Sequence, residues 1–210
     1  MSVIEELRQS VIEAETDAVS VYLKQALDDK ISPDTILNEG LISGMREVGR
    51  LFEAGEFFVP EMLLAARTME AALKILKPHL AEQGVEPVGK VAIGTVKGDL
   101  HDIGKSLVST MLEGGGFAVT DLGVDVQPEQ FIEAIQNGAE VVAISALLTT
   151  TMMNMKTTIE ALKEAGVRDK ALIMVGGAPV TEDFAKEIGA DGYAPDASAS
   201  VRRVRELMGL

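Results

Sequence analysis

From residue 90 onward the chain alternates short apolar runs with amphipathic stretches, and this alternation restricts its fold more firmly than any other feature. The runs 90–96, 117–122, 140–147 and 171–176, with a weaker one at 192–195, read as strands. Helical spacing follows each of them, at 103–114, 128–137, 152–165, 181–188 and 197–208. A nearly unbroken apolar run such as Val91-Ala92-Ile93-Gly94-Thr95-Val96 suits a strand buried on both faces. Five strand–helix units predict an α/β fold, an open and doubly wound five-stranded parallel sheet with right-handed crossovers.

The residues before 81 show no strand pattern but many helix signals. Ser2-Val3-Ile4-Glu5 reads as a capping box ahead of one apolar face, Leu7, Val11, Ala14, Ala18, Val21 and Tyr22. Ser32-Pro33 forms an N-cap and N1 pair, and the stripe Ile36, Leu37, Leu41, Met45, Val48, Phe52 then runs to Gly55. Pro60 opens another stripe, Met62, Leu63, Ala66, Met69, Leu73 and Leu76, which Pro78 is expected to close. A break at Gly40 and Gly44 would make four helices of these three stretches, and the same glycines permit a close helix approach. Met45, Met62 and Met69 read as core fillers, and His79 as a surface residue. Residues 81–89 have linker composition, so the expected organisation is a four-helix bundle over 1–83 and an α/β domain over 84–210.

The chemistry gathers at the strand ends. Gly98-Asp99-Leu100-His101-Asp102-Ile103-Gly104 leaves the first strand at its carboxyl end, the usual ligand position of a doubly wound sheet. It holds one of the chain's two histidines, with a carboxylate two residues earlier. A carboxylate behind an imidazole fixes the ring orientation and tautomer of a metal ligand. The chain has no cysteine, so any metal must take nitrogen or oxygen donors from the protein. Ser145 to Thr151, Gly176-Gly177-Ala178 and Tyr193 to Ala197 fall on the same edge and complete a polar-lined crevice. Gly104-Lys105-Ser106 imitates the end of a phosphate-binding loop, but Asp99 stands where that loop needs glycine. The third strand also ends in Ser145 rather than a magnesium-holding aspartate. A net charge of −14 argues against a nucleic-acid partner. No run approaches the ~18 apolar residues of a membrane span and the amino terminus has no signal-peptide core, so a cytoplasmic location is expected.

Asp99-x-His101-x-x-Gly104, then Ser145-x-Leu147, then Gly176-Gly177 resembles the cobalamin-binding domain of corrinoid-dependent methyltransferases and mutases. Gly49-Arg50-Leu51-Phe52, Phe58-Val59-Pro60 and Ala65-Ala66-Arg67 are similar to the helical cap of methionine synthase and of small corrinoid proteins, so the likeness spans nearly the whole chain. The resemblance implies a Rossmann- or flavodoxin-like domain behind a helical cap, holding cobalamin or another cobamide. In that family the corrinoid gives up its own lower base, and its nucleotide tail threads into the sheet edge. Carried over, His101 is the lower cobalt ligand, Asp99 its carboxylate partner and Thr151 the hydroxyl completing the relay, where methionine synthase has serine. Gly98, Leu100, Asp102, Ile103 and Gly104 would contact the cofactor from the same loop. Ser145, Leu147, Thr149, Gly176, Gly177 and Ala197 would line the tail pocket, while Phe57 or Phe58 and Leu63 shield the methyl face.

The implied function is a base-off/His-on corrinoid protein that shuttles a methyl group on cobalt between two methyltransferases. One is substrate-specific; the other passes the group to a carrier such as tetrahydrofolate or coenzyme M, and a reductive activase is a further expected partner. The chain leaves no stretch for a catalytic barrel, so it is expected to act only in company. Two alternatives stay open. A carbon-skeleton mutase subunit shares the three motifs but not this cap, and a B12-sensing regulator would need an output domain.

Overall fold

In the computed structural model, which describes residues 1–210, Ser2 Oγ accepts the Glu5 N–H at 3.2 Å and starts helix α1 (Val3–Ile12). That helix stops sooner than its apolar stripe suggests. Ala14 adopts a φ of 59°, the chain turns, and α2 (Thr16–Asp28) buries Val19, Leu23 and Ala26. Val21, expected inside, is exposed. On one unbroken helix Leu7 and Leu23 would lie roughly 160° apart. Only the turn lets both face a common interior.

Ser32 Oγ accepts the Thr35 N–H at 3.1 Å and Pro33 takes the N1 position, as the sequence predicts. The helix does not break at its glycines. A single turn, α3 (Pro33–Thr35), passes through a π-helical stretch, Ile36–Ile42, into α4 (Ser43–Glu53). The fourth helix of this region therefore comes from the break at Ala14. The glycines serve close packing instead: a Cβ on Gly40 would stand 2.8 Å from Leu7 Cδ2, and one on Gly44 2.9 Å from Val11 Cβ.

α5 (Val59–Glu82) runs through Pro78, where a stop is expected. A proline inside a helix costs ~3 kcal/mol in isolation. Leu76 and Leu80 are both buried, four residues apart on one face, and ending the helix at Pro78 would uncover Leu80. Met45, Met62 and Met69 are core residues.

The chain divides into two units, residues 1–88 with 113–116 and residues 89–112 with 117–210. The second holds the strands β1 (Lys90–Thr95), β2 (Ala118–Asp121), β3 (Val141–Ser145), β4 (Leu172–Gly176) and β5 (Gly192–Tyr193). All pairings are parallel, in the order β2-β1-β3-β4-β5. Each strand is followed by a helix: α6 (Ile103–Gly114), α7 (Pro128–Gln136), α8 (Thr149–Glu164), α9 (Glu182–Ile188) and α10 (Ala197–Met208). β1, β3 and β4 are buried along most of their length, which is why they read as apolar runs without alternation. α8 begins three residues before its spacing indicates, so Thr149–Thr151 form its first turn rather than a loop.

From β1 the chain crosses to β2 on one side and returns to β3 on the other. The connections part between β1 and β3, and sheets of this kind hold ligands at the carboxyl ends beside such a point. The register places Thr95, Ser145 and Gly176 abreast at that edge.

Candidate functional site

β1 delivers its following loop to this edge with the backbone already engaged. Asp99 N–H bonds the Val96 carbonyl at 3.1 Å, and Thr95 Oγ1 donates to the His101 carbonyl at 2.9 Å. From α8, Asn154 Nδ2 donates to the Lys97 carbonyl at 2.7 Å.

Asp99 is 1% exposed, and its carboxylate is fully subscribed. Oδ1 accepts the His101 N–H at 3.1 Å and meets His101 Nδ1 at 2.7 Å. Oδ2 accepts the Leu147 N–H at 2.8 Å and the Thr151 hydroxyl at 2.6 Å. Two carboxylate oxygens offer about four acceptor positions, and all are taken. Burial alone pushes this carboxyl up. The donors together outweigh it, Thr151 first, then Leu147 and the two groups of His101, and hold it well below the usual carboxylate range.

An ionised Asp99 only accepts, so His101 Nδ1 must carry a hydrogen, and in the neutral ring this tautomer leaves the lone pair on Nε2. The side chain of His101 is 50% exposed. The pair offers one nitrogen donor oriented from behind by a carboxylate, an arrangement able to serve a metal. Nowhere in the chain do three or more His, Asp or Glu side chains converge on a common point. A metal bound here therefore brings most of its own ligands.

The surroundings suit a large apolar ligand. Leu100 is 72% and Ile103 86% exposed, and Leu147, Leu148 and Met153 are exposed beside the start of α8. Gly104, in the first turn of α6, is required by nothing in the protein, since a Cβ there would meet no atom within 4 Å. Gly177 is the opposite case: its φ is +128°, and a Cβ would stand 1.8 Å from the Ala146 carbonyl oxygen. Backbone meets backbone there, as only glycine allows.

The other expected site residues are distributed unevenly. Gly98 and Asp102 are exposed in the loop, Thr149 is exposed at the start of α8, and Ser145 and Gly176 are half-buried in the row across the sheet. Ala197 is buried beneath the start of α10, where Asp196 Oδ1 accepts the Ala199 N–H at 2.8 Å. Phe58 belongs to the helical unit and precedes α5; its N–H donates to Glu61 Oε2 at 3.0 Å, and the residue is 65% exposed. Sequence reasoning did not find the Leu147 N–H, Asn154, or the pairing of the buried Lys105 with Asp121 at the end of β2. A main-chain donor has no residue signature, and the other two acquire meaning only when distant segments meet.

Fold and site together define an α/β protein of parallel, doubly wound type whose strand-end loop carries a half-exposed imidazole backed by a buried carboxylate. Residues 89–202 match the family of B12 binding domains, and residues 3–77 match a second family model also described as a B12 binding domain. The chain is 44% identical to dimethylamine corrinoid protein 2 of Methanosarcina mazei, over 98% of this chain and 96% of that one. It is 41% identical to the trimethylamine corrinoid protein of Methanosarcina barkeri, again over 98% and 96%. It superposes on the crystal structure of the methanol:cobalamin methyltransferase complex MtaBC from Methanosarcina barkeri with a TM-score of 0.86 and 29% identity, covering 99% of this chain and 80% of that one. The chain belongs to the family of corrinoid proteins with B12 binding domains, and its cofactor is cobalamin or another cobamide. The half-exposed imidazole engaged only through Nδ1, the open space at Gly104 and the exposed apolar side chains all fit that cofactor.

Proposed function

We propose that this protein carries a methyl group on cobalt between two methyltransferases, with the cobamide base-off and His101 as its lower ligand. The observation that carries this reading is the buried, four-donor Asp99 carboxylate holding His101 Nδ1 at 2.7 Å. Bound there, the cobalt corrinoid supplies a metal able to take up and release a methyl group. Asp99 keeps the proton on Nδ1 and turns Nε2 outward. Thr151 and the Leu147 N–H keep Asp99 ionised, so its carboxylate stays an acceptor for the Nδ1 hydrogen. Ser145, Thr149, Gly176, Gly177 and Ala197 line the route of the nucleotide tail, and the Gly98 to Gly104 loop borders it. Leu100, Ile103 and Leu147 supply apolar surface.

The donor-side partner is a substrate-specific methyltransferase. The acceptor side passes the group to a carrier such as tetrahydrofolate or coenzyme M, and a reductive activase is the third partner. Relatives named for dimethylamine and trimethylamine both match along nearly the whole chain, which supports placing substrate choice in the partner. Protein loaded with hydroxocobalamin and reduced should acquire labelled methyl from an amine or methanol only when the matching methyltransferase is added. Absence of label with every methylamine and methanol methyltransferase, despite a full complement of cobamide, overturns the carrier reading.

Gly104→Ala separates ligand space from fold space. The apoprotein should become more stable by about 0.5–1 kcal/mol, because glycine in a helix is unfavourable against alanine. Cobamide affinity should drop by about tenfold, ~1.4 kcal/mol. Thermal melting and spectrophotometric titration measure the two effects, and unchanged affinity would remove Gly104 from the site.

A further inference from the structure

Asp125, in the turn after β2, is one of three non-glycine residues with positive φ, at 53°. Aspartate tolerates this region because its short side chain usually bonds its own turn. Here the bond within its own turn is the longer one, Gln127 Nε2 to Oδ1 at 3.4 Å, and the same oxygen reaches across. Asp125 Oδ1 accepts the Gly98 N–H at 2.7 Å, and the Asp125 N–H donates to the Asp99 carbonyl at 3.0 Å. The two bonds bracket Asp99, one on the residue before it and one on its own carbonyl. The neighbouring residues support the hold: Val126 N–H bonds the Thr95 carbonyl at 2.9 Å, and Gln127 Nε2 donates to the Asp125 carbonyl at 3.0 Å. Segment 125–126 thereby continues the pairing of β2 with β1 past the strand ends, up to the peptide that carries Asp99.

Asp99 is thus fixed from two directions. Leu147 and Thr151 hold its carboxylate, and Asp125 holds its backbone. Thr95 Oγ1 ties the His101 carbonyl at 2.9 Å, but the ring itself has a single polar partner, the Asp99 carboxylate, and is half exposed, so its orientation follows Asp99. With the backbone released, the carboxylate can stay on Thr151 while the loop carrying His101 shifts.

We propose that Asp125 is a positioning residue for the axial histidine, setting where the Asp99–His101 pair presents Nε2. This rests on the reading of His101 as the lower ligand. The test compares Asp125→Gly, Asp125→Ala and Asp125→Asn with the wild type in two measurements. The first is amide exchange at Gly98 in the apoprotein. The second is nitrogen superhyperfine splitting in the electron paramagnetic resonance spectrum of the full chain loaded with hydroxocobalamin and reduced to Co(II).

Asp125→Gly relieves the positive φ but lacks the acceptor, so it isolates the bond from the strain. It should exchange Gly98 at least about tenfold faster and give a mixture of nitrogen- and water-ligated cobalt. Asp125→Ala should do the same, and Asp125→Asn, which keeps an oxygen acceptor, should restore both signals. Wild-type exchange and uniform nitrogen ligation in Asp125→Gly overturn the proposal, as does a mixed spectrum in Asp125→Asn. A wild-type spectrum without nitrogen splitting sinks the His101 reading instead, and the positioning claim with it, while the Gly98 exchange still reports whether Asp125 clamps the loop.

Discussion

Replacing His101 by Ala should abolish nitrogen ligation of the cobalt altogether. In the Co(II) state the nitrogen superhyperfine splitting should vanish and the spectrum become that of a water-ligated form. Cobamide should still bind, because the apolar rim and the strand-end glycines are untouched. Asp99→Asn should have a milder effect: the ring keeps a neutral partner, but the charge behind Nδ1 is lost. Loss of such an outer partner commonly costs about 10–100-fold in metal affinity or activity, so methyl transfer should fall into that range. His79→Ala is the control. His79 lies on α5, 44% exposed and 4.0 Å from Glu82, and its removal should leave the spectrum as it was. Identical spectra for wild type and His101→Ala would exclude His101 as the ligand.

The largest effect on folding should come from Gly177→Ala. The added Cβ meets the Ala146 oxygen at 1.8 Å and its carbonyl carbon at 2.9 Å, at a φ of +128°. Neither contact involves a side chain that could rotate away. Ala146 N–H is itself bonded to the Gly176 carbonyl at 3.2 Å, so relief requires moving β3 and β4 apart at their ends. A loss of about 4 kcal/mol or more is expected, in the range reserved for backbone strain and core disruption. For a chain of this size that lowers the melting midpoint by roughly 8–16 °C. A midpoint within about 2 °C of wild type would show that the turn yields and that Gly177 is kept for another reason. Set beside Gly104→Ala, the pair distinguishes a glycine needed by the fold from one that leaves room for a ligand.

The strand–helix alternation is legible in the sequence because buried strands and amphipathic helices differ in period, and each period is written in consecutive residues. The helical region is harder. The stripe through Ala14 looks continuous, and so does the expectation that Pro78 ends a helix; the outcome in each case depends on what the apolar face packs against. Leu23 must share an interior with Leu7, so the chain turns at Ala14, and Leu80 is buried, so α5 continues past Pro78.

The same division runs through the site. Asp99 and His101 are two residues apart, and both of their hydrogen bonds close within the loop, so their partnership follows from the sequence itself. Leu147 and Thr151 come from 48 and 52 residues beyond Asp99, and Asp125 from 27 beyond Gly98. Nothing local announces that a main-chain N–H, a helix-start hydroxyl and a left-handed aspartate will converge on one carboxylate and its backbone. Their convergence follows from the strand order β2-β1-β3, which strand–helix alternation alone does not specify. The sequence by itself determined the fold class and the imidazole–carboxylate pair in the loop after β1, because those depend on neighbours in the chain. Only the tertiary structure decided how Asp99 is filled and held, because a buried carboxylate must collect its donors from whichever segments the sheet order brings within reach.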